Sequence, residues 1–365
     1  MIMMKSVAIA VLLVGAAAVA AEHGKTAEQQ FKNIQVFKGV PAAQIDATMD
    51  VMAGALGVGC EHCHVKADKP GVPWPMEKDD KQAKRTARKM VTMMEKINHD
   101  FFGGEQAVTC ATCHNGRAEP RTIPPLERVA GKEEEEGERK VPQVTVQQLL
   151  AKWVQASGGS AWDKLKTRVS KETVEFAGRG MPPMQAETVM AAPDRWHATL
   201  NMQHGTFEQG WDGKNGWRKF GGHAMPLESV AEAQREAQFA PPKTLAKLLT
   251  GLKVVADQPL GKGTAHVLEG RQGELRVRLW LDAQTGLLSR ITIRQPTPAG
   301  DLPQQLDYED YRAVDGVKLP FVVKGNKGGE TWTDTYTEIK HNQKIDETQF
   351  APPKAEAPPQ DPKLK

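Results

Sequence analysis

The pattern of apolar positions changes character along the chain. Between Pro41 and Leu56 apolar side chains recur at Ile45, Met49, Met52 and Leu56, the spacing of one helix face. Pro41 suits a first helical position, where a missing N–H costs nothing. "GVG" at 57–59 then turns the chain back. A second helical run starts near Lys81. It places Ala83, Ala87, Met90, Met94 and Ile97 on one face with Met93 at its edge, and "FFGGE" at 101–105 breaks it. A third helix is read from "VTVQQLLAKWVQASGG", with Thr145 as N-cap and Gly158 as stop. Beyond it the period drops to two in runs such as "RWHATLNMQ", "ELRVRLWLD" and "KLPFVVKG", joined by turn signals such as "WDGKNG" and "DAQTG". This predicts an antiparallel sheet of about ten strands, curved or partly closed, interrupted by a helix near "PKTLAKLLTG".

The fold class these patterns imply is multidomain: a mainly α domain, then a mainly antiparallel β domain. A length of 365 residues suits two domains. The boundaries are read as a signal peptide at 1–20, an α domain at 21–130, a charged linker at 131–143, the β domain at 144–350 and a Pro/Lys-rich tail at 351–365. The signal rests on Lys5, the apolar run Val7–Val14 and the small residues "AVA" at 18–20; an uncleaved anchor is the alternative. No cysteine follows the cleavage region, which argues against a lipid-anchored N-terminus. Residues 117 to 143 are rich in Pro and charge, and Glu133–Glu136 read as solvated. The expected location is the periplasm, with peripheral membrane association open. With 48 basic and 45 acidic residues the net charge is only +3, which argues against a nucleic-acid partner.

All four cysteines fall in two stretches, "GVGCEHCHVK" at 57–66 and "TCATCHNG" at 109–116. A disulfide, a zinc site or a thioredoxin-like redox pair would each use two cysteines and leave the adjacent histidine to chance. The spacing C-x-x-C-H uses all three residues. Two thiols add to the two vinyl groups of a haem, and the following histidine reaches the iron from one side. Two covalent c-type haems are therefore expected. Cys60, Cys63, Cys110 and Cys113 attach them, and His64 and His114 are the proximal ligands. Each preceding helix offers methionines to the opposite side, although a methionine stripe also fills ordinary cores. His62 and His99 are rival distal ligands.

The runs "NIQVFKGVPAAQIDATMDVMAGALGVGCEHCH" and "ARKMVTMMEKINHDFFGGEQAVTCATCHNG" resemble the cytochrome subunit of photosynthetic reaction centres. The resemblance covers roughly residues 30 to 117, about a quarter of the chain. It implies that a helix supplies an axial methionine to the haem attached after it, and that the subunit relays electrons to an oxidised pigment pair. Carried over by motif, Met49 and Met90 are the distal ligands, with Met52, Met93 and Met94 as alternatives. Well-known members carry four haems in two similar halves, and many carry a lipid-anchoring cysteine; this chain has neither feature. Further on, "LDAQTGLLSRITI" and "YEDYRAVDGVKLPF" resemble the half-open barrels of periplasmic lipoprotein carriers, which implies a lipid ligand for the β domain.

The preferred reading is an electron carrier rather than an enzyme, with redox-protein partners: a membrane-bound reaction centre or a respiratory complex. A dihaem peroxidase and a lipid or lipoprotein carrier with a haem module are the alternatives. No catalytic grouping emerges from the β domain, where His197, His204, His223, His266 and His341 show no ligand spacing. Lys81, Lys84, Arg85 and Arg88 form a basic stripe on the second helix, expected to face solvent or an acidic partner.

Overall fold

The computed structural model describes residues 25–69, 72–121, 143–178, 180–203, 205–220, 223–227, 230–261 and 263–353. The expected signal peptide, nearly all of the expected linker and most of the expected tail lie outside them.

The α part opens with a short helix α1 (Ala27–Gln30), followed by α2 (Ile45–Leu56), α3 (Gln82–Phe102) and α4 (Cys110–His114). Pro41 caps a 3-10 turn at Ala42–Gln44, which runs directly into α2. Glycines in the left-handed region end both long helices: Gly57 (φ 65°) after α2 and Gly103 (φ 62°) after α3. The helix α2 has two working faces. Ile45 packs with Ala27, Phe37 and Val91 of α3, and Met49 and Met52 lie against that cluster. Ala47 and Val51 face the other way and pack on Ala299 and Leu302 of the β part. The expected methionine face is present; the small-residue face that docks on the sheet was not anticipated.

The β part adds α5 (Val146–Ala156), α6 (Val230–Glu236) and α7 (Pro241–Thr244). Its strands are β1 (Thr167–Phe176), β2 (Met184–Ala191), β3 (Arg195–Met202), β4 (Gly205–Trp211), β5 (Gly216–Phe220), β6 (His223–Pro226) and β7 (Thr250–Leu260). Then come β8 (Gly263–Gln272), β9 (Leu275–Asp282), β10 (Leu288–Thr297), β11 (Gly300–Val314), β12 (Val317–Lys327) and β13 (Glu330–His341). They form one antiparallel sheet in the order β6-β5-β4-β3-β2-β1-β13-β12-β11-β10-β9-β8-β7. Neighbouring strands in the sheet are also neighbours in the chain, with one exception: β1 lies beside β13 and ties the two ends of the domain together. Among the described residues β6 and β7 are the edges of the sheet, so it is open, not a closed barrel. Thirteen strands replace the expected ten, because short strands such as β5 and β6 contain Gly and Pro and show little alternation.

Thr145 caps α5 as expected, accepting from the Gln148 backbone N–H while the Gln148 side chain accepts from Thr145. This helix lays Leu149 and Trp153 on Leu268, Val277, Leu279 and Ile291 of the sheet. The run expected as one helix near 242–251 divides into α7 and a 3-10 turn at Leu245–Leu248, and α6 is an additional helix. Residues of α5 and of the turn after α7 therefore pack together on one face of the sheet.

The α and β parts touch closely. An ideal Cβ on Gly54 of α2 would lie 2.1 Å from the Gly328 carbonyl oxygen in the β12–β13 turn. Arg218 of β5 pairs with Asp46 of α2 at 3.1 Å, and the Gln106 side chain donates to the Thr297 and Pro298 carbonyls at 3.1 and 2.8 Å.

Candidate haem-attachment site

Both C-x-x-C-H motifs are tight turns presented by glycines. Cys60–His62 is a 3-10 turn, continued by a hydrogen bond from the His64 N–H to the Cys60 carbonyl at 2.9 Å. Cys110–His114 is the short helix α4, entered from Thr109 and left at Asn115, which is left-handed (φ 44°). The motifs meet through glycine. The Gly116 N–H donates to the Ala55 carbonyl of α2 at 2.7 Å, and an ideal Cβ on Gly57 would sit 2.3 Å from the Gly116 carbonyl oxygen. No side chain fits there, so the end of α2 and the end of α4 lie backbone to backbone.

One cavity of about 1180 Å³ holds the predicted residues together. Cys60, Cys63, His64, Cys110, Cys113 and His114 line it, as do Met49, Met52, Met90, Met93 and Met94. That volume exceeds the roughly 300–1,000 Å³ of an ordinary small-molecule pocket. Met94 is buried and Met49 and Met52 are half-buried, whereas Met90 and Met93 are exposed along the cavity rim. His62 reaches the cavity too, but His99 does not; it is exposed and sits 2.9 Å from its neighbour Asp100.

The chemistry of these residues suits covalent haem. All four cysteines are free thiols, and burial pushes the Cys63 and Cys110 thiols up, away from the thiolate form. Among the described residues no three His, Cys, Asp or Glu are grouped as a metal cluster. The His114 Nδ1 lies 2.9 Å from the Arg117 carbonyl. An Nδ1–H donated there leaves Nε2 as the lone-pair nitrogen, the usual orientation of a metal-ligating imidazole. The His64 Nδ1 is shut away from solvent without a hydrogen bond of ordinary geometry, and the Met76 carbonyl is the backbone acceptor acting on it. An imidazole enclosed in this way, on the wall of an apolar cavity, is what a haem site requires.

The basic stripe corrects its sequence reading. Lys84 donates to the Met76 and Lys78 carbonyls at 2.6 and 2.9 Å and pairs with Asp79 at 3.2 Å. Arg88 pairs with Asp79 at 2.7 Å, Lys81 donates to the Glu61 carbonyl and Arg85 to that of Asp79. The Asn33 amide donates to the Glu77 carbonyl at 2.6 Å. These cations are spent holding the segment around 74–81 beside His64, and the side chains of Lys84 and Arg88 are only 12% and 14% exposed. They do not form a free docking surface.

Sequence reasoning also missed the far wall. Trp196, Phe207, Arg218, Glu232, Glu236 and Lys327 line the same cavity from the β part. They lie far along the chain from either motif and carry no spacing that could have flagged them. Three of the β-domain histidines are structural: His197 stacks on Trp217, His266 pairs with Asp257 and the buried His341 with Asp315.

Two C-x-x-C-H motifs lining one cavity are the attachment motif of the c-type cytochrome class. The profile of the photosynthetic reaction centre cytochrome c subunit matches residues 3–186, just over half of the chain, and the chain belongs to that family. It is 35% identical over 89 residues to cytochrome c-554 of Chloroflexus aurantiacus, covering 23% of this chain and 20% of the relative. It is 30% identical over 109 residues to the photosynthetic reaction center cytochrome c subunit of Rubrivivax gelatinosus, covering 29% and 28%. The chain thus spans between a fifth and three tenths of these curated relatives. Among solved structures, a LolA superfamily protein from Nitrosomonas europaea is similar at TM-score 0.42 and 12% identity, over 57% of this chain and 98% of that one. A DUF1329 family protein from Desulfovibrio piger is similar at TM-score 0.42 and 8% identity, over 56% and 97%. No helix among the described residues is long and apolar enough to cross a membrane.

Proposed function

We propose that this chain is an exported dihaem cytochrome that relays electrons in the periplasm between redox proteins, a membrane-bound reaction centre or respiratory complex among them. The observation that carries the reading is the cavity lined by both C-x-x-C-H motifs and six methionines, the five expected ones and Met76. Cys60 and Cys63 hold one haem and Cys110 and Cys113 the other; His64 and His114 bind the irons. Met49 and Met90 close the opposite sides, with Met52, Met93 and Met94 as the alternatives. A bound haem supplies a one-electron couple, and methionine ligation raises its potential. The residues around it do the rest. The glycine contact between Gly57 and Gly116 holds the motifs together, which keeps the electron path between them short. The Lys84–Asp79–Arg88 clamp closes the His64 side against water. Residues 21–130 form the haem-bearing unit in this reading, and residues 144–350 a sheet domain that completes its cavity.

The test is the alkaline pyridine spectrum of protein expressed in an exporting, haem-loading host. Two covalent haems per chain are expected, falling to one in Cys60→Ser/Cys63→Ser and one in Cys110→Ser/Cys113→Ser. A wild-type protein with no covalent haem would overturn the reading.

A further inference from the structure

The sheet-side wall of the cavity carries a group of charges that electron relay by itself does not use. Glu232 and Glu236 sit one turn apart on α6, and both line the cavity together with Lys327 at the end of β12. Lys327 Nζ lies 3.4 Å from the Glu232 carboxylate. Glu236 lines the cavity and is exposed towards it, and the surrounding protein raises the cost of its charge. Arg235, on the same helix, is turned away to the Gln272 side chain and the Ala231 carbonyl. The other charged or titratable groups acting on Glu236 come from neighbouring strands: Asp334 of β13 and Tyr308 of β11. Asp50 of α2 faces Lys327 and Glu232, and Glu330 of β13 faces Asp50. Asp50 adjoins Met49 and enters only as a fixed neighbour. From β5, Arg218 lines the cavity but pairs with Asp46.

The geometry points to proton-linked electron transfer: Glu232 and Glu236 form a proton-accepting site on the wall of the haem cavity, so that an electron arriving there brings a proton with it. This rests on the haem reading above. The electron comes from a one-electron donor protein and reduces ferric to ferrous iron. The proton comes from bulk solution, relayed through cavity water that is left unchanged, and one carboxylate oxygen gains an O–H bond, so one electron and one proton are taken up together. The physical reason is enclosure. In a cavity with low-dielectric walls, one added negative charge raises the cost of a nearby carboxylate, and protonation removes that cost. The site is poised for it. Burial lifts the Glu236 carboxyl well above the usual carboxylate range and Glu232 lifts it further, while Arg235 and Lys327 oppose. Asp334, behind it, is pushed up to about 7 by burial and by Glu172.

The experiment is a spectroelectrochemical titration of the full haem-loaded chain between pH 5 and 10, with proton uptake on dithionite reduction followed by an indicator dye. One haem is expected to show a midpoint that falls with pH across neutrality. The limiting slope for one proton per electron is 59 mV for each tenfold change in proton activity. Glu236→Gln should flatten that slope and lower the dye signal. Lys327→Met removes a charge that opposes protonation, so it should move the sloping window to higher pH while keeping its steepness. Glu232→Gln provides a second carboxylate variant should Glu236→Gln fold poorly. Midpoints independent of pH in the wild type overturn the linkage while leaving the cytochrome reading intact. A slope retained in both Gln variants overturns it as well, and assigns the proton to the haem propionates. Protein without haem bands overturns both.

Discussion

Gly54→Ala separates a docked α2 from a free one by the sign of its effect. Gly54 lies inside a helix, where replacing Gly by Ala ordinarily stabilises by about 1 kcal/mol. Here the added methyl would be 2.1 Å from the Gly328 carbonyl oxygen and 3.0 Å from its carbon. The obstacle is backbone. Gly328 is itself left-handed (φ 59°), with Leu302 and the Asp50 carbonyl against it, so the turn has little room to retreat. Restoring ordinary contact requires α2 and the β12–β13 turn to part by more than an ångström, which also loosens Ala47 and Val51 from Ala299 and Leu302. Overpacking of this kind costs about 1–3 kcal/mol, more than the propensity gain. A net loss of about 1–2 kcal/mol lowers the melting temperature by a few degrees. The assay is thermal and urea unfolding of the full haem-loaded chain, followed in the far ultraviolet and at the haem bands. A melting temperature that rises in Gly54→Ala would refute the docking.

Met49→Ala and Met90→Ala should leave haem attachment unchanged, since other residues make the thioethers, yet each should lower one potential and open one sixth site. Wild-type ferric spectra and potentials in both variants would move the assignment to Met52, Met93 or Met94. Hydrogen bonds from Arg88, then Asn33 and Lys84, hold the Asp79 carboxyl well below the usual carboxylate range. A depressed carboxyl stabilises the fold above its unfolded pKa of about 3.9 and loses that contribution as pH falls through its folded value. The gap in urea midpoint between wild type and Asp79→Asn should therefore be constant from pH 8 to 5 and narrow steadily below about pH 4; a gap unchanged between pH 5 and pH 2 would show that Asp79 acts only through packing.

Local rules were enough for some of this protein. The two C-x-x-C-H motifs were legible because the signal is contiguous and depends only on adjacent residues. Helices α2 and α3 were legible because their apolar spacing is local and glycine stops each one. The same locality explains the misreadings. Lys84 and Arg88 look solvated on a helical projection, because Asp79 and the carbonyls of Met76 and Lys78 reach them only when the preceding segment folds back. Strands β5 and β6 carry little alternation, because their order comes from pairing with β4 and with each other.

The sequence by itself determined the two C-x-x-C-H motifs, the helix that precedes each and the mainly β character of the C-terminal domain. All of these are set by residues within about one helix length of each other, where spacing alone fixes geometry. The tertiary structure decided that the motifs meet at Gly57 and Gly116, that α2 docks on the β12–β13 turn at Gly54, and that the cavity is walled on one side by Glu232, Glu236 and Lys327. The two backbone approaches join positions far apart in the chain, at a closeness that only glycine permits. A missing side chain leaves no periodic trace, so these contacts exist only once the sheet has placed its turns against the helices.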